Sequence, residues 1–366
     1  MHSIKFLFAW IILINVFAGL AFAHHEDVAT SSNISVINGV NILDELDLNK
    51  LSVCANCGYT IVDQPSFDTV PQANSKWDSN ELVLGVEFNG VTKAYPLPTL
   101  SPVRFHVLND DFNGAPLAVS FCPLCFSGVV FERPSIDGQV MSFATAGLFS
   151  RDLVMYDDVT GSLWQQFTGE PLAGETVGEF GLLHRVPADI VPYSDWVAAH
   201  PDSLIYVDPA IASSRRSNEL IEELVIYESI ANGTRDSSRE ADRDQRLPDR
   251  EIVVGITIQG QAKAYQESAI FSTGLLNDTL GNISILVVVD PVSNEIKFFE
   301  REVNGQILSF RLNAGELIEQ QTGSTWGFDG VATNGTLSGT TLKEIAGLPS
   351  FWFAWVTFHP GTELFS

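Results

Sequence analysis

The sequence predicts a mainly β protein built from two tandem, pseudo-symmetric β-rich domains, each a sandwich or partly open barrel, with a few short helices. Short runs of Val, Ile, Phe and Thr alternate with Asn-Gly, Asp-Gly and Gly-Asn turns, a pattern typical of β-hairpins. A series of motifs also occurs twice along the chain in the same order. Helical periodicity is confined to brief pieces, among them residues 194–200 and 218–230.

The repeat is visible in five pairs of blocks. Residues 82–95 read LVLGVEFNGVTKAY, and residues 252–265 read IVVGITIQGQAKAY. The other four pairs are 106–114 with 274–282, 129–143 with 297–310, 160–164 with 322–326, and 196–201 with 355–360. Five blocks in one order indicate two related halves. Features that both halves share are expected to maintain the fold, and features of one half alone are candidates for chemistry.

These patterns divide the chain into five parts. They are a signal peptide (1–23), an N-terminal extension with Cys54-x-x-Cys57 (24–79), a first β-rich repeat that carries the candidate site (80–208), a charged linker (209–250) and a second, degenerate β-rich repeat (251–366).

The N-terminus predicts export. Lys5 precedes an apolar run over residues 6–22, and Ala21-Phe22-Ala23 is a small-x-small cleavage motif. We expect cleavage after Ala23 and a periplasmic, extracellular or cell-surface location. Because no later apolar segment reaches the length of a membrane span, we expect no integral membrane domain after cleavage.

The charge of the chain excludes one class of partner. The sequence has 20 Lys and Arg against 45 Asp and Glu, a formal net charge of −25. Such an excess of carboxylates repels a phosphate backbone, so we expect no nucleic-acid partner. Composition does not identify a substrate or a protein partner.

The two halves differ where reactive side chains occur. The segment Cys122-Pro-Leu-Cys125 corresponds to Asp290-Pro-Val-Ser293 in the second half, so both cysteines are lost there. His106 corresponds to a glycine. The first half also has six more residues before its Thr-Gly-Ser block, a stretch that contains Arg151, Asp152, Met155, Tyr156 and Asp157. The first half therefore carries the candidate chemistry.

The Cys-x-x-Cys pair favours a metal site. The residues after Cys125 have the pattern of a strand and a hairpin, so there is no predicted helix whose N-terminus would activate a thiol for redox chemistry. A Cys-Pro-x-Cys turn between strands is typical of a metal knuckle. We predict a transition-metal site, copper or zinc, made by Cys122, Cys125 and His106.

Two further roles are assigned to the inserted segment. Met155 or Asp157 is a candidate fourth ligand of the metal. Tyr156 and Asp157 are also candidates for acid–base catalysis. The metal site would serve either a metalloenzyme or a metal-handling protein, because three protein ligands leave one coordination position open.

The cysteines allow other interpretations. Cys122 would be the nucleophile of a thiol–disulfide oxidoreductase, or each Cys-x-x-Cys pair would close a disulfide in an oxidising compartment. In the disulfide case the protein would be a non-catalytic binding or scaffold domain. All four cysteines, with Cys54 and Cys57, would alternatively bind one structural zinc.

Several motifs together resemble domain-of-unknown-function family 3179. They are Lys93-Ala94-Tyr95-Pro96, the segment from His106 to Asp110, Cys122-Pro-Leu-Cys125, the segment from Val154 to Asp157, Thr160-Gly-Ser-Leu-Trp164 and Arg246-Leu-Pro248. The resemblance covers about residues 80–365 and implies an exported protein, although the family has no established biochemical role. It also implies that His106 is the family's site histidine. Phe126 stands where the family usually has glycine after the second cysteine.

Overall fold

A computed structural model of the protein describes residues 34–37, 40–44, 46–53, 61–208 and 244–366. The predicted signal peptide, Cys54, Cys57 and residues 209–243 of the predicted linker lie outside these ranges. The predicted helical piece over residues 218–230 lies outside them as well.

Strands dominate the described residues. The part that precedes the first repeat contains β1 (Ile34–Ile37), β2 (Val40–Leu43), β3 (Leu51–Val53), β4 (Ser66–Thr69) and helix α1 (Val70–Ala73). Thr69 and Gln72 form a capping box at the start of α1.

The first half contains three larger sheets. Its elements are β5 (Leu82–Phe88), β6 (Val91–Pro96), α2 (Leu97–Leu100), a 3-10 turn (Val103–Phe105), β7 (Val107–Phe112), β8 (Ala115–Cys122), β9 (Ser127–Glu132), β10 (Ser135–Ile136), β11 (Gln139–Val140), β12 (Phe143–Phe149), β13 (Asp152–Asp157), β14 (Leu163–Gln165), β15 (Pro171–Ala173), β16 (Arg185–Val186), β17 (Asp189–Pro192), α3 (Tyr193–Ala199) and β18 (Leu204–Val207).

The second half follows the same plan. Its elements are β19 (Ile252–Ile258), β20 (Gln261–Gln266), α4 (Glu267–Thr273), β21 (Leu275–Leu280), β22 (Ile283–Val289), β23 (Ile296–Glu300), β24 (Glu302–Val303), β25 (Gln306–Ile307), β26 (Phe310–Asn313), β27 (Glu316–Glu319), β28 (Thr325–Trp326), β29 (Ala332–Asn334), β30 (Lys343–Ile345), β31 (Leu348–Phe351), α5 (Trp352–Phe358) and β32 (Glu363–Phe365).

The strand orders of the two halves correspond. The first half has β17-β5-β6-β18, β16-β9-β8-β7 and β12-β13-β14-β15, and the second has β31-β19-β20-β32, β30-β23-β22-β21 and β26-β27-β28-β29. Strands β1 to β4 of the extension add to the sheets of the first half. The prediction of a mainly β protein with a few short helices is confirmed, and the division into two pseudo-symmetric domains stays a prediction.

Asn-Gly turns connect the hairpins for a physical reason. Asn89 and Gly90, between β5 and β6, have φ angles of 49° and 73°. A two-residue type I′ turn requires positive φ at both positions, which Asn and Gly tolerate best. Such turns match the twist of the paired strands and make these hairpins local features of the sequence.

The side chains that both halves share perform the same structural tasks. Asn109 donates to the carbonyl of Phe143 (2.9 Å) and accepts from its N–H (2.8 Å), thereby joining β7 to β12. Asn277 makes the same pair of bonds with Phe310. These reciprocal bonds explain why the asparagine occurs in both halves.

A close approach to glycine, which occurs in both halves, fixes each tryptophan. A Cβ added at Gly85 would lie 2.2 Å from the ring of Trp196, and one at Gly255 would lie 2.1 Å from the ring of Trp355. Only glycine leaves room for the rings of helices α3 and α5. The largest apolar core continues across both halves, since it includes Phe121 and Val130 as well as Leu348 and Trp355.

Candidate metal centre

The two cysteines of the first half lie in the turn between β8 and β9. Cys122 is the last residue of β8 and pairs with Ser127, the first residue of β9. The N–H of Cys125 donates to the carbonyl of Cys122 at 3.2 Å, which closes the turn. The turn therefore holds the thiols of Cys122 and Cys125 close together.

Phe126 completes this turn in a conformation that suits glycine. Its φ is 55°, in the left-handed region. The ring of Phe126 stacks on Phe351 of the second half, with centroids 5.2 Å apart and an interplanar angle of 23°. The turn thus has a backbone conformation that suits glycine although its residue is phenylalanine, and burial of the phenylalanine ring offsets the cost of the strained backbone.

Three potential metal ligands converge at the turn. One ligand atom each from Cys122, Cys125 and Asp152 lie within 4.8 Å of one another. Their exposed fractions are 1%, 0% and 0%. Both cysteines are free thiols, so the alternative of a Cys122–Cys125 disulfide is not present in the structure.

Asp152 enters the site from the first residue of β13. Its Oδ2 accepts hydrogen bonds from Gln165 Nε2 at 2.8 Å and from the N–H of Phe167 at 3.1 Å. Its Oδ1 accepts from Ser127 Oγ at 3.3 Å. Neutral donors thus fix the orientation of the carboxylate and leave its charge without compensation from these partners.

The hairpin turn before Asp152 brings a carbonyl group to the sulfurs. The Sγ atoms of Cys122 and Cys125 lie 3.9 Å and 3.6 Å from the carbonyl oxygen of Arg151. Ser150 and Arg151 have φ angles of 48° and 69°. Two consecutive left-handed residues that are not glycine store backbone strain at the turn that delivers Asp152.

Burial controls the protonation of these groups. Burial raises the pKa of Asp152 to about 7, although hydrogen bonds from Cys125 and Ser127 act in the opposite direction. Burial also raises the pKa of the Cys125 thiol well above its usual value, and the neighbouring Cys122 and Asp152 raise it further. A cation would replace these protons, because it compensates the negative charges that burial disfavours.

His106, the histidine predicted as a ligand, follows the 3-10 turn that precedes β7. Its Nε2 lies 2.8 Å from the carbonyl oxygen of Ser101. Because a carbonyl only accepts, Nε2 carries the proton and the ring lone pair lies on Nδ1. Burial lowers the pKa of His106 to about 4. His106 is not one of the three converging residues, and its role as a ligand stays a prediction.

The other predicted residues lie on β13. Side chains alternate along a strand, so Met155 and Asp157 point to the face opposite to that of Asp152. Met155 is fully buried in the main core. Tyr156 packs against the smaller core around Val154. The fourth-ligand role of Met155 or Asp157 and the acid–base roles of Tyr156 and Asp157 stay predictions.

Asp157 organises the Thr-Gly-Ser turn. It accepts hydrogen bonds from Thr160 N–H at 2.6 Å and from Trp164 Nε1 at 2.9 Å. In the second half Glu319 accepts from Thr322 N–H and Ser324 N–H at the corresponding turn. Asp157 therefore has a structural task that recurs in the half without cysteines.

Asp152 lies within the longer segment of the first half, but no sequence pattern identified it as a ligand. The corresponding hairpin of the second half is shorter, since β27 begins three residues before Glu319 whereas β13 begins five residues before Asp157, so β27 has no position that matches Asp152. Gln165, which donates to Asp152, corresponds to Gly327. The signal that distinguishes Asp152 is therefore its absence from the second half together with the absence of its hydrogen-bond partner.

The second half fills the corresponding turn with a polar network. Asp290 Oδ1 accepts from the N–H groups of Val292 and Ser293, at 2.8 Å and 3.3 Å. Ser293 Oγ donates to Glu295 Oε2 at 2.7 Å. This turn keeps the backbone of the first half, since Asn294 has a φ of 58° where Phe126 has 55°. It lacks the thiols.

In the part of the chain that the structure describes, no helix has both the length and the apolar character needed to cross a bilayer.

Comparison with known proteins identifies the family of the chain and gives no function. No curated protein and no solved structure matches the chain. Residues 60–362 match a family of proteins of unknown function, a range that includes the cysteine turn, Asp152 and both halves. The chain belongs to that family, described as protein of unknown function (DUF3179).

Proposed function

We propose that the protein is an exported metal-binding protein whose site uses the thiolates of Cys122 and Cys125 and the carboxylate of Asp152. The convergence of these three groups within 4.8 Å in a buried turn carries the proposal. Burial away from water disfavours three negative charges that have no counterion. A divalent ion compensates the desolvation cost because it binds all three groups directly.

The donor set favours zinc over copper. Thiolates bind both ions, but Cu(I) prefers sulfur ligands alone, whereas Zn²⁺ also accepts a carboxylate. Three protein ligands leave one tetrahedral position. His106 Nδ1, the ligand expected from the sequence, or a water molecule would occupy it. A water ligand would allow Lewis-acid chemistry, and the histidine would close the site as a structural centre.

Export belongs to the same proposal. The apolar run before Ala23 supports it, because it has the length and the cleavage motif of a signal peptide. A secreted protein with two reduced, buried thiols needs protection from oxidation. A bound metal supplies it by occupying both sulfurs.

Metal content after purification tests the proposal. We expect one zinc per chain in protein secreted by a host supplied with zinc, measured by elemental analysis. Cys122→Ser and Asp152→Asn should lower the content below half. The matched control is Asp290→Asn, at the position that corresponds to Cys122 in the second half, and it should keep the metal. Wild-type protein whose cysteines are reduced but that contains no zinc would contradict the proposal.

A second candidate is thiol–disulfide exchange by Cys122 and Cys125. The observation that favours it is a pair of free thiols beside Asp152, whose pKa of about 7 suits proton transfer. In that reaction the two thiols would form a disulfide while a partner disulfide accepts two electrons and two protons. Burial of both sulfurs and the raised pKa of Cys125 disfavour it, because exchange needs an accessible thiolate.

A further inference from the structure

The second half holds the cysteine turn directly. The N–H of Phe351, at the end of β31, donates to the carbonyl oxygen of Cys125 at 2.9 Å. The same residue provides the ring that stacks on Phe126. The second half thus contacts the turn through one backbone hydrogen bond and one aromatic stack, both within one residue of the second thiol.

Helix α5 begins directly after Phe351, and its last residue contacts the segment that orients Asp152. Phe358, the last residue of α5, stacks on Phe167 with centroids 4.9 Å apart and an interplanar angle of 25°. Trp355 lies 6.1 Å from the same ring. Phe167 is the residue whose N–H donates to Asp152 Oδ2, and its carbonyl accepts from Arg185 at 2.7 Å.

Helix α5 is itself fixed between these two contacts. The N–H groups of Trp352 and Phe353, in its first turn, donate to the carbonyls of Glu251 and Asp249 at 2.8 Å and 2.9 Å. A helix of seven residues is roughly 10 Å long. A short and anchored element thus connects the cysteine turn to the segment that orients the carboxylate.

The opposite contact between the halves is polar. Helix α3 of the first half lies beside the turn of the second half that corresponds to the cysteine turn. There Asn294 donates to Asp195 at 2.9 Å, and the N–H of Ile296 donates to Asp189 at 2.7 Å. Asn294 is exposed, whereas Phe126 at the matching position is 5% exposed. The turn with the three ligands is therefore packed against aromatic rings of the other half, whereas the corresponding turn makes polar contacts.

We propose that α5 together with Phe351, the residue directly before it, is the positioning element of the Cys122, Cys125 and Asp152 site, through the rings of Phe351 and Phe358. It keeps the two ligand-bearing segments at a fixed separation and excludes water from the sulfurs. This inference rests on the proposed metal-binding function. It assigns the task of the second half, which is to complete the site of the first.

Metal affinity separates positioning from ordinary core packing. We expect Phe358→Leu to weaken zinc binding by about tenfold, the lower end of the effect of removing a direct partner of a ligand, because Phe358 acts on Asp152 through Phe167. Phe358→Tyr, which keeps the aromatic ring, should restore affinity to within about threefold of wild type by the same reasoning. Affinity is measured on the full chain by competition with a chelator of known strength, at a temperature where circular dichroism shows folded protein.

Phe310→Leu is the matched control. Phe310 is buried in a separate core of the second half, edge-on to Trp326. Its substitution removes the same atoms and should lower stability while leaving zinc affinity unchanged. Phe351→Leu is measured in parallel, so that the test remains valid if Phe358→Leu does not fold. Equal zinc affinities for wild type, Phe358→Leu and Phe351→Leu would overturn the inference.

A measurement without metal separates this inference from the proposed function. Alkylation of Cys122 and Cys125 by iodoacetamide, followed by mass spectrometry of their peptide, should be at least several-fold faster in Phe351→Leu and Phe358→Leu than in wild type and Phe310→Leu. A wild type that binds no zinc would defeat the proposed function, although faster alkylation would still show that α5 covers the thiols. An unchanged alkylation rate in both Phe351→Leu and Phe358→Leu would contradict the inference that this segment shields the thiols.

Discussion

The N–H of Phe351 in the second half lies 2.9 Å from the carbonyl oxygen of Cys125 in the first half. This hydrogen bond places the cysteine turn at the seam between the two halves. The second half has no cysteines at its own corresponding turn but contacts the cysteine turn of the first half. The second half is therefore part of the surroundings of the candidate site.

The pH dependence of stability should reveal the buried carboxyl of Asp152. Its pKa is raised from 3.8 to about 7, so the folded protein holds a proton that the unfolded chain has released between these values. The contribution of Asp152 to the free energy of unfolding is therefore fully present below about pH 4, and it is lost as the pH rises to about 7. The loss is on the order of 4 kcal/mol for metal-free protein.

Asp152→Asn isolates this contribution. The asparagine keeps an oxygen to accept from Gln165 and Phe167, and its amide can donate to Ser127, but it does not titrate. In urea unfolding with a chelator present, the free energy of unfolding of the variant should increase relative to that of wild type as the pH rises from 4 to 7. A difference that does not vary with pH would mean that Asp152 is ionised throughout.

Zinc binding should release protons. The raised pKa of Cys125 keeps its thiol protonated near neutral pH, and a metal-bound thiolate must lose that proton. We expect proton release on zinc binding at pH 7 for wild type, to which Asp152 adds about half a proton because its pKa is about 7, and about one proton fewer for Cys125→Ser. Calorimetry in buffers of different ionisation enthalpy measures the number, and zero release would exclude thiolate ligation.

Phe126→Gly should destabilise the protein even though it relieves backbone strain. Glycine at a φ of 55° removes a strain of roughly 1 kcal/mol, but loss of a buried phenylalanine costs about 3–5 kcal/mol. We expect a net loss of roughly 2–4 kcal/mol in urea unfolding. Asn294→Gly is the matched control, because this exposed residue has the same backbone conformation and should change stability by less than about 1 kcal/mol. A stabilised Phe126→Gly protein would show that strain outweighs the stack.

The two halves should differ in their sensitivity to loss of a shared lysine. Lys93 Nζ lies 2.9 Å from both oxygens of Asp110, and both side chains are almost fully buried. Lys93→Met leaves a buried carboxylate unpaired and should cost about 3–5 kcal/mol. The equivalent Lys263→Met should cost less, since Lys263 and Asp278 are 12% and 17% exposed. Denaturant unfolding of both variants measures the difference, and equal costs would contradict the role of burial.

Local patterns made part of this structure predictable. The hairpins follow from Asn-Gly turns such as Asn89-Gly90, and the mainly β fold follows from the hairpins. The pairing of Cys122 with Cys125 follows from their spacing, because four residues of one turn stay close whatever the rest of the chain does.

Long-range contacts limited the prediction of the site. Asp152 reaches the sulfurs through a hairpin turn with two left-handed residues, Ser150 and Arg151, neither of which has the turn signal of glycine. Phe351 is more than two hundred residues from Cys125 in the sequence. His106 occupies the expected position in the motif, yet its Nε2 turns to Ser101, a contact that depends on the 3-10 turn before it.

X-ray absorption at the zinc edge tests the central claim most directly, since it identifies the atoms bound to the metal. We expect two sulfur atoms at about 2.3 Å and oxygen or nitrogen ligands at about 2.0–2.1 Å, with one oxygen lost in Asp152→Asn. Four sulfur ligands would require Cys54 and Cys57 and would contradict the assignment of Asp152. A spectrum without sulfur would contradict the site itself.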